Sequence, residues 1–405
     1  MKQKGLGGFF EKYIDENLIF NNKKVLQSSY TPNEVIHREE QKNNIASILA
    51  PALKEDKPSN LFVYGKTGTG KTLTLKHVSS QMMKVANKRN IPLKIIYLNC
   101  KMKRIADTEY RLVAQLIKEL GSSVPATGLP TDEVYNIFFD ILKKSGYSVL
   151  LIILDELDQL INKAGDEVIY NLTRINTEMS ETQVALVGIS NNLVFTDSMD
   201  PRVRSSLSEE EIVFPPYNAL QIKDILRKRA GVAFKEGVLE KGVIEKCSAF
   251  AAREHGDARR ALELLKVAGE LSERKGLSHV RMDHLDEAEE KIEKERILEI
   301  VRTQPKQSQI TLFSIILLFE DDKKDTFYTG DVYELYKNLS VKADLRPLTQ
   351  RRISDIIGEL DMLGIINATI ISKGRYGRTR EIKLGMGQTI RNRIKTILLR
   401  ELKLE

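Results

Sequence analysis

From about Tyr30 to Gly188 the chain alternates short, continuously apolar runs with longer stretches in which apolar residues recur every three or four positions. The apolar runs are Leu61–Tyr64, Ile91–Asn99, Ser148–Leu154 and Val184–Gly188. Runs of this length between helical patterns predict parallel strands covered by helices on both faces. From about residue 218 to 300 only the helical period remains, beginning at Asn218 with Leu220, Ile222, Ile225 and Leu226. That stretch predicts a separate helical domain. A charged helical segment, Asp286 to Arg302, runs on to Pro305, and the polar Lys306 to Ser308 opens a last domain.

The last hundred residues read as helix, helix, helix, hairpin. The helices are predicted over Ser308–Phe319, over Asp331–Leu339 with Thr329 near its cap, and over Thr349–Leu363, closed by Gly364. Ile353, Ile356, Ile357, Leu360 and Leu363 form the apolar stripe of the third helix. This leaves Gln350, Arg351, Ser354 and Asp355 outward near its start, where a recognition helix meets DNA, with Arg352 beside them or on a phosphate. Two strands, Ile366–Ile371 and Arg380–Leu384, follow, joined by a glycine-rich turn carrying Lys373, Arg375, Tyr376 and Arg378. A helix pair followed by such a hairpin predicts a winged helix; such folds also serve as neutral protein-contact modules, but four cations around one Tyr in the wing point to DNA.

Composition narrows the class. A chain of 405 residues accommodates two or three domains with cores of their own, and its 41% hydrophobic and 29% charged residues argue against wholesale disorder. The start lacks a signal-peptide core and no run is long enough to span a bilayer, so a cytoplasmic, nucleoid-associated protein with no membrane partner is expected. Two distant cysteines and five scattered histidines predict neither a disulfide nor a protein-ligated metal centre. The net charge of +7 is concentrated: residues 371–405 hold ten Lys/Arg against three Glu, which accounts for the whole surplus. A basic tail on a neutral body points to a polyanionic partner.

The candidate chemistry begins at Gly65-Lys66-Thr67-Gly68-Thr69-Gly70-Lys71-Thr72-Leu73. It lies between a strand pattern and a helix pattern, the context a phosphate-binding loop requires. Its glycines let successive N–H groups turn inward, Lys71 supplies a charge for the β/γ-phosphates, and the Thr72 hydroxyl suits Mg²⁺. Eighty-four residues after Lys71 an apolar strand ends in Asp155-Glu156. Side chains alternate along a strand, so Asp155 is expected to hold Mg²⁺ through water while Glu156 polarises the attacking water. Another buried strand runs into Asn191 and Asn192, and an amide there suits orientation of that water. Gly256-Asp-Ala-Arg259 lies in the helical domain, from which Arg259 could reach the phosphates. These motifs predict binding of ATP or ADP with Mg²⁺, and hydrolysis.

This set, in this order, resembles the AAA+ ATPases, and within them the archaeal origin-recognition and cell-division-cycle initiators related to the largest subunit of the eukaryotic origin recognition complex. The resemblance covers nearly the whole chain. It implies residues 1–30 as a lead-in, 31–217 as the AAA+ α/β domain, 218–304 as the helical lid and 305–405 as the winged helix. It assigns Tyr30 together with Ile36, His37 and Arg38 to the adenine side. Gly188 to Asn191 becomes sensor 1, Gly256 to Arg259 sensor 2, and Asp200 to Ser206 the arginine-finger segment, in which Arg202 or Arg204 would act in trans. An initiator-specific insertion over about 101–131, starting with Lys101, Lys103 and Arg104, would also reach DNA. The implied function is site-specific binding of double-stranded origin DNA and recruitment of the replicative helicase, with sister initiators as possible neighbours and slow, switch-like ATP hydrolysis. A nucleotide-gated winged-helix transcription regulator is the alternative reading; a clamp loader fits the basic wing less well.

Overall fold

The computed structural model describes the chain apart from residues 1–18, 33, 102–107, 126, 180, 193–198, 208, 255, 322–325, 373–377 and 405. It divides into two compact units, Met1–Leu285 and Asp286–Glu405.

In the first unit, helix α1 (Glu39–Leu49) precedes β1 (Asn60–Tyr64), and the phosphate loop leads from β1 into α2 (Lys71–Arg89). Strand β2 (Leu93–Asn99) is followed by α3 (Glu109–Glu119) and α4 (Thr131–Ser145). Then come β3 (Val149–Asp155), α5 (Leu157–Ala164), α6 (Glu167–Glu178), β4 (Gln183–Ser190), α7 (Pro201–Leu207) and β5 (Glu209–Val213). The five strands form one parallel sheet in the order β2-β3-β4-β1-β5. Alternation along β3 shows why its sequence is apolar from Val149 to Leu154. Leu150, Ile152 and Leu154 pack with Phe62, Leu98, Leu116 and Phe138 on one face. Leu151 and Ile153 pack with Val63, Ile45, Leu75 and Val78 on the other. Both faces are covered by helices, so neither parity of position can be polar.

The remaining helices of this unit are α8 (Ala219–Ala233), α9 (Val243–Arg253) and α10 (Ala258–Arg274), after which α11 (Met282–Thr303) spans the division between the units. Asn218 and Gln221 form the capping box of α8, and the Asp257 carboxylate caps α10 by accepting from the Arg259 and Arg260 amides at 2.8 and 3.3 Å.

The second unit holds α12 (Lys306–Asp321), β6 (Phe327–Tyr328), α13 (Thr329–Lys342), α14 (Gln350–Met362), β7 (Asn367–Ser372), β8 (Arg378–Lys383) and α15 (Gln388–Leu402). Its antiparallel sheet runs β6-β8-β7. Thr349 caps α14, and Ile353, Ile356, Ile357 and Leu360 are buried as the stripe predicts, whereas Leu363, at the C-cap just past the helix, is exposed. The expected α/β AAA+ architecture with helical lid and winged helix is therefore present. Several elements escape the sequence reading, among them α7 between β4 and β5. Strand β5 opens with three glutamates, and β6 is two residues long. Helix α15 lies in the stretch read as a basic tail, although Ile394, Leu398 and Leu402 are buried at helical spacing. Both cysteines are buried and free, and among the described residues no helix is long and apolar enough to cross a membrane.

Candidate nucleotide site and winged helix

Three carboxyl-terminal strand ends and one helix start converge beside the phosphate loop. Lys71, 5% exposed, begins α2 and turns its ammonium back over the loop. Its Nζ donates to the carbonyls of Gly65 (2.6 Å) and Lys66 (2.8 Å) and to Asn191 Oδ1 (2.9 Å). The Asn191 amide nitrogen in turn donates to Glu156 Oε2 at 2.9 Å. A continuous chain therefore runs from the lysine through the amide to the glutamate. Burial, and then the like charge of Arg259, push the Lys71 ammonium down to about 8 against the opposing pull of Asp155, Glu156 and Asp158.

Asp155 is held by three donors. Its Oδ2 accepts from Thr72 Oγ1 at 2.8 Å and from Tyr97 Oη at 2.5 Å, and its Oδ1 accepts the Glu156 amide at 2.9 Å. Burial first, then the bond to Asp155, raise the Tyr97 phenol well above its usual range. Strand alternation is not what separates the two carboxylates. β3 ends at Asp155, and Glu156 adopts φ 58° and ψ 44°, a left-handed conformation uncommon for a residue with a side chain. That turn swings Glu156 away from Asp155 and onto Asn191. The paired hydroxyl and carboxylate of Thr72 and Asp155 form the hard oxygen set that Mg²⁺ takes in company with phosphate oxygens. Among the described residues there is no separate cluster of His, Cys, Asp and Glu able to hold a metal.

The loop owes its shape to close approaches. Gly68 has φ +72°, and a Cβ there would stand 1.8 Å from Asp257 Oδ1. At Gly70, with φ +92°, a Cβ would meet the Tyr217 hydroxyl at 2.6 Å. Only glycine fits either position. The amide of Ala258 also faces the Gly68 carbonyl, at 3.4 Å. The N-terminus of α10 thus lies against the loop, and Arg259 lines the same cavity as Gly68, Gly70 and Thr72. That cavity, about 340 Å³, extends past Leu73 and Lys76 to Tyr30 and Ile36.

Of the residues assigned to the adenine side, Tyr30 and Ile36 line the cavity, and the Tyr30 ring lies 4.6 Å beneath the Arg229 guanidinium. His37 and Arg38 make other contacts: His37 Nε2 meets Asp224 Oδ2 at 3.1 Å, and Arg38 donates to backbone carbonyls. Lys66 and Thr67 are exposed at the loop's outer edge, whereas Thr69 is fully buried with its hydroxyl on the Lys66 carbonyl. Arg202 and Arg204 are exposed on α7, and Arg202 is paired with Asp200 at 3.1 Å. Tyr97, Asp257, Tyr217 and Arg229 were not singled out from the sequence. Tyr97 could have been, since it stands two residues before the end of a strand that runs beside β3.

In the winged helix, Arg351 and Arg352 are exposed in the first turn of α14, and Arg352 Nη1 lies 3.4 Å from Glu359 and 4.0 Å from Asp355. Arg380 lies against the same helix: its Nε donates to Ser354 Oγ at 3.4 Å, and a Cβ on Gly358 would come within 2.8 Å of its Nη2. Lys101 is exposed just after β2. Lys103, Arg104, Lys373, Arg375 and Tyr376, together with the side chain of Arg378, lie outside the described residues.

Family profiles described as AAA domain, Cdc6 AAA+ ATPase-type lid domain, and CDC6, C terminal winged helix domain match residues 54–193, 223–290 and 299–391. The chain is 54% identical over 385 residues to an ORC1-type DNA replication protein of Thermococcus onnurineus, covering 94% of this chain and 92% of that one. It is 53% identical over 389 residues to that of Pyrococcus abyssi, covering 95% and 92%. Among solved structures it is similar to the Aeropyrum pernix ORC1 protein in complex with DNA, at 42% identity and a TM-score of 0.81, over 95% of this chain and 98% of that one. It shares its fold with Cdc6p of Pyrobaculum aerophilum, at 20% identity and a TM-score of 0.60, over 95% and 99%.

Proposed function

The chain belongs to the family of ORC1-type DNA replication proteins, and on that footing we propose an ATP-dependent replication initiator that binds duplex origin DNA site-specifically and helps recruit the replicative helicase. The observation that carries the nucleotide half is the hydrogen-bonded chain Lys71–Asn191–Glu156 beside the Thr72–Asp155 pair, with Thr72 on the wall of the cavity. Lys71 and the loop amides would hold the phosphates, and Thr72, with Asp155 acting through water, would hold Mg²⁺. The metal, when bound, neutralises phosphate charge and orients the terminal group. Arrival of a terminal phosphate competes with Asn191 for Lys71. This frees Asn191 and Glu156 to position and polarise a water. Arg259, next to Lys71 in the lid, adds positive charge where negative charge develops. Turnover is slow, because Glu156 starts out tied to Asn191 and a finger, Arg202 or Arg204, must come from a neighbouring copy. For Arg202 that neighbour must first compete with Asp200.

The DNA half rests on the winged helix. Arg351 and Arg352 enter the major groove from the start of α14, while the wing residues Lys373, Arg375, Tyr376, Arg378 and Arg380 serve the flanking backbone and minor groove. Arg351→Ala should then cost about 1–3 kcal/mol mainly on the preferred site, whereas Arg378→Ala should weaken all duplexes and lower the salt slope by about one. Chromatin mapping followed by footprinting of the purified protein tests the whole reading. One or a few origin sites, protected by full-length protein, are expected. Occupancy spread over many promoters would instead identify a transcription regulator.

A further inference from the structure

Arg38 is only 2% exposed, and its guanidinium is spread over three backbone oxygens. Nε donates to the Thr69 carbonyl in the phosphate loop at 2.9 Å. Nη2 donates to the Pro215 carbonyl, in the link from β5 to the lid helix α8, at 2.5 Å. Nη1 donates to the His37 carbonyl at 3.2 Å, and the guanidinium carbon lies 3.8 Å from the centre of the Tyr217 ring. One planar fork therefore joins loop, link and adenine-side segment.

Tyr217 and the segment around Arg38 are themselves held in place. The Tyr217 hydroxyl fills the space a side chain on Gly70 would need, and a Cβ on Gly256 would fall 2.3 Å from the Tyr217 carbonyl oxygen. The segment that carries Arg38 is also fastened to α8, through Glu34 to Lys228 at 2.8 Å, His37 to Asp224 at 3.1 Å, and Tyr30 beneath Arg229. His37 holds a left-handed φ of 60° within these contacts. Arg38 is thus connected to α8 from two sides, through its own segment and through the Pro215 carbonyl, and to the loop through Thr69.

We propose that Arg38 is a positioning residue whose fork sets the shape of the phosphate loop according to the position of the lid, and that it does not act as a charge on the nucleotide. The inference rests on the reading of this cavity as a nucleotide site. Arginine suits the role because its donors diverge rigidly in a plane; a lysine offers one compact ammonium that cannot satisfy the Thr69 and Pro215 carbonyls in the same way.

The test compares full-length wild type, Arg38→Lys and Arg38→Met by amide hydrogen exchange after nucleotide has been stripped, and then by ADP titration. Loss of a buried charged donor predicts about tenfold faster exchange over residues 65–70 and at the amides of Phe214, Tyr217 and Asn218 in both variants. Strands β1 and β3 should keep wild-type protection, and ADP affinity should fall about tenfold in both. Should Arg38→Met lose protection in the strands as well, the comparison is made on Arg38→Lys, which keeps the charge and most of the volume. Wild-type loop exchange and ADP affinity in Arg38→Lys would overturn the proposal, since charge alone would then suffice. The exchange measurement needs no ligand. A wild-type protein that failed to bind ADP would therefore count against the nucleotide site, while the role of Arg38 would still be decided by the loop amides.

Discussion

Nucleotide binding should be coupled to proton uptake at Lys71. The protein's own groups push that ammonium down to about 8, with burial the larger cause and Arg259 the second. A bound polyphosphate supplies the missing counter-charge and restores the lysine to at least its ordinary value of about 10.4. Between these two values the empty protein must take up a proton to bind, so affinity falls as pH rises. Simple linkage gives a dissociation constant about twentyfold weaker at pH 9.5 than at pH 7.5, or about 2 kcal/mol, with the phosphates already fully ionised at both. Calorimetry in buffers of different ionisation enthalpy should register uptake of about half a proton at pH 8 and about 0.9 at pH 9. The sign for stability is the opposite one. The folded value lies below the unfolded one, so the unfolded chain binds more protons between about 8 and 10.4, and Lys71 alone makes the empty fold more stable as pH climbs through that window. Lys71→Arg should bind more weakly yet lose the pH dependence, because a guanidinium stays charged throughout. An affinity that is flat from pH 7.5 to 9.5, with no proton uptake, would show that Lys71 is fully charged in the empty site and that burial does not govern it.

Three further outcomes follow from the site. Glu156→Gln should bind ATP much as wild type does but release phosphate at least about a hundredfold more slowly; an unchanged rate would remove Glu156 from the chemistry. Tyr97→Phe deletes one of two hydroxyl donors on Asp155 Oδ2, so the Mg²⁺ concentration that half-saturates the ADP complex should rise about tenfold or more while metal-free ADP binding holds steady. Superimposable Mg²⁺ titrations would mean that Asp155 needs no such support. Gly188→Ala places a Cβ 2.4 Å from the Phe62 ring and 2.6 Å from Leu157, both fully buried, and should cost about 1–3 kcal/mol in denaturant unfolding. An undiminished midpoint would show that this packing yields easily.

The phosphate loop, the Asp155-Glu156 strand end and the capped helix α14 were legible in the chain because each is encoded by neighbouring residues. A glycine-rich turn between a strand and a helix has few other uses, and a buried parallel strand must be apolar at both parities of position. The resemblance to origin-recognition proteins rests on the order of such local pieces. What the sequence alone could not decide were the contacts that depend on which segments cross. Tyr97 reaches Asp155 across 58 positions because β2 and β3 lie side by side in parallel register. Asp257 fits over Gly68 because the start of α10 meets the loop. The motif that contains Arg38 pointed to a nucleotide, but burial directs the guanidinium to carbonyls of the loop and the lid link, 31 and 177 positions away. Strand β5 carries three glutamates and would not pair in isolation; its partner β1 supplies the backbone bonds that outweigh its poor strand propensity. Glu156 differs from Asp155 through a left-handed turn that the surrounding fold imposes, since a side chain at that φ gains nothing locally. Local chemistry was written in contiguous residues, whereas its alignment came from packing between distant ones.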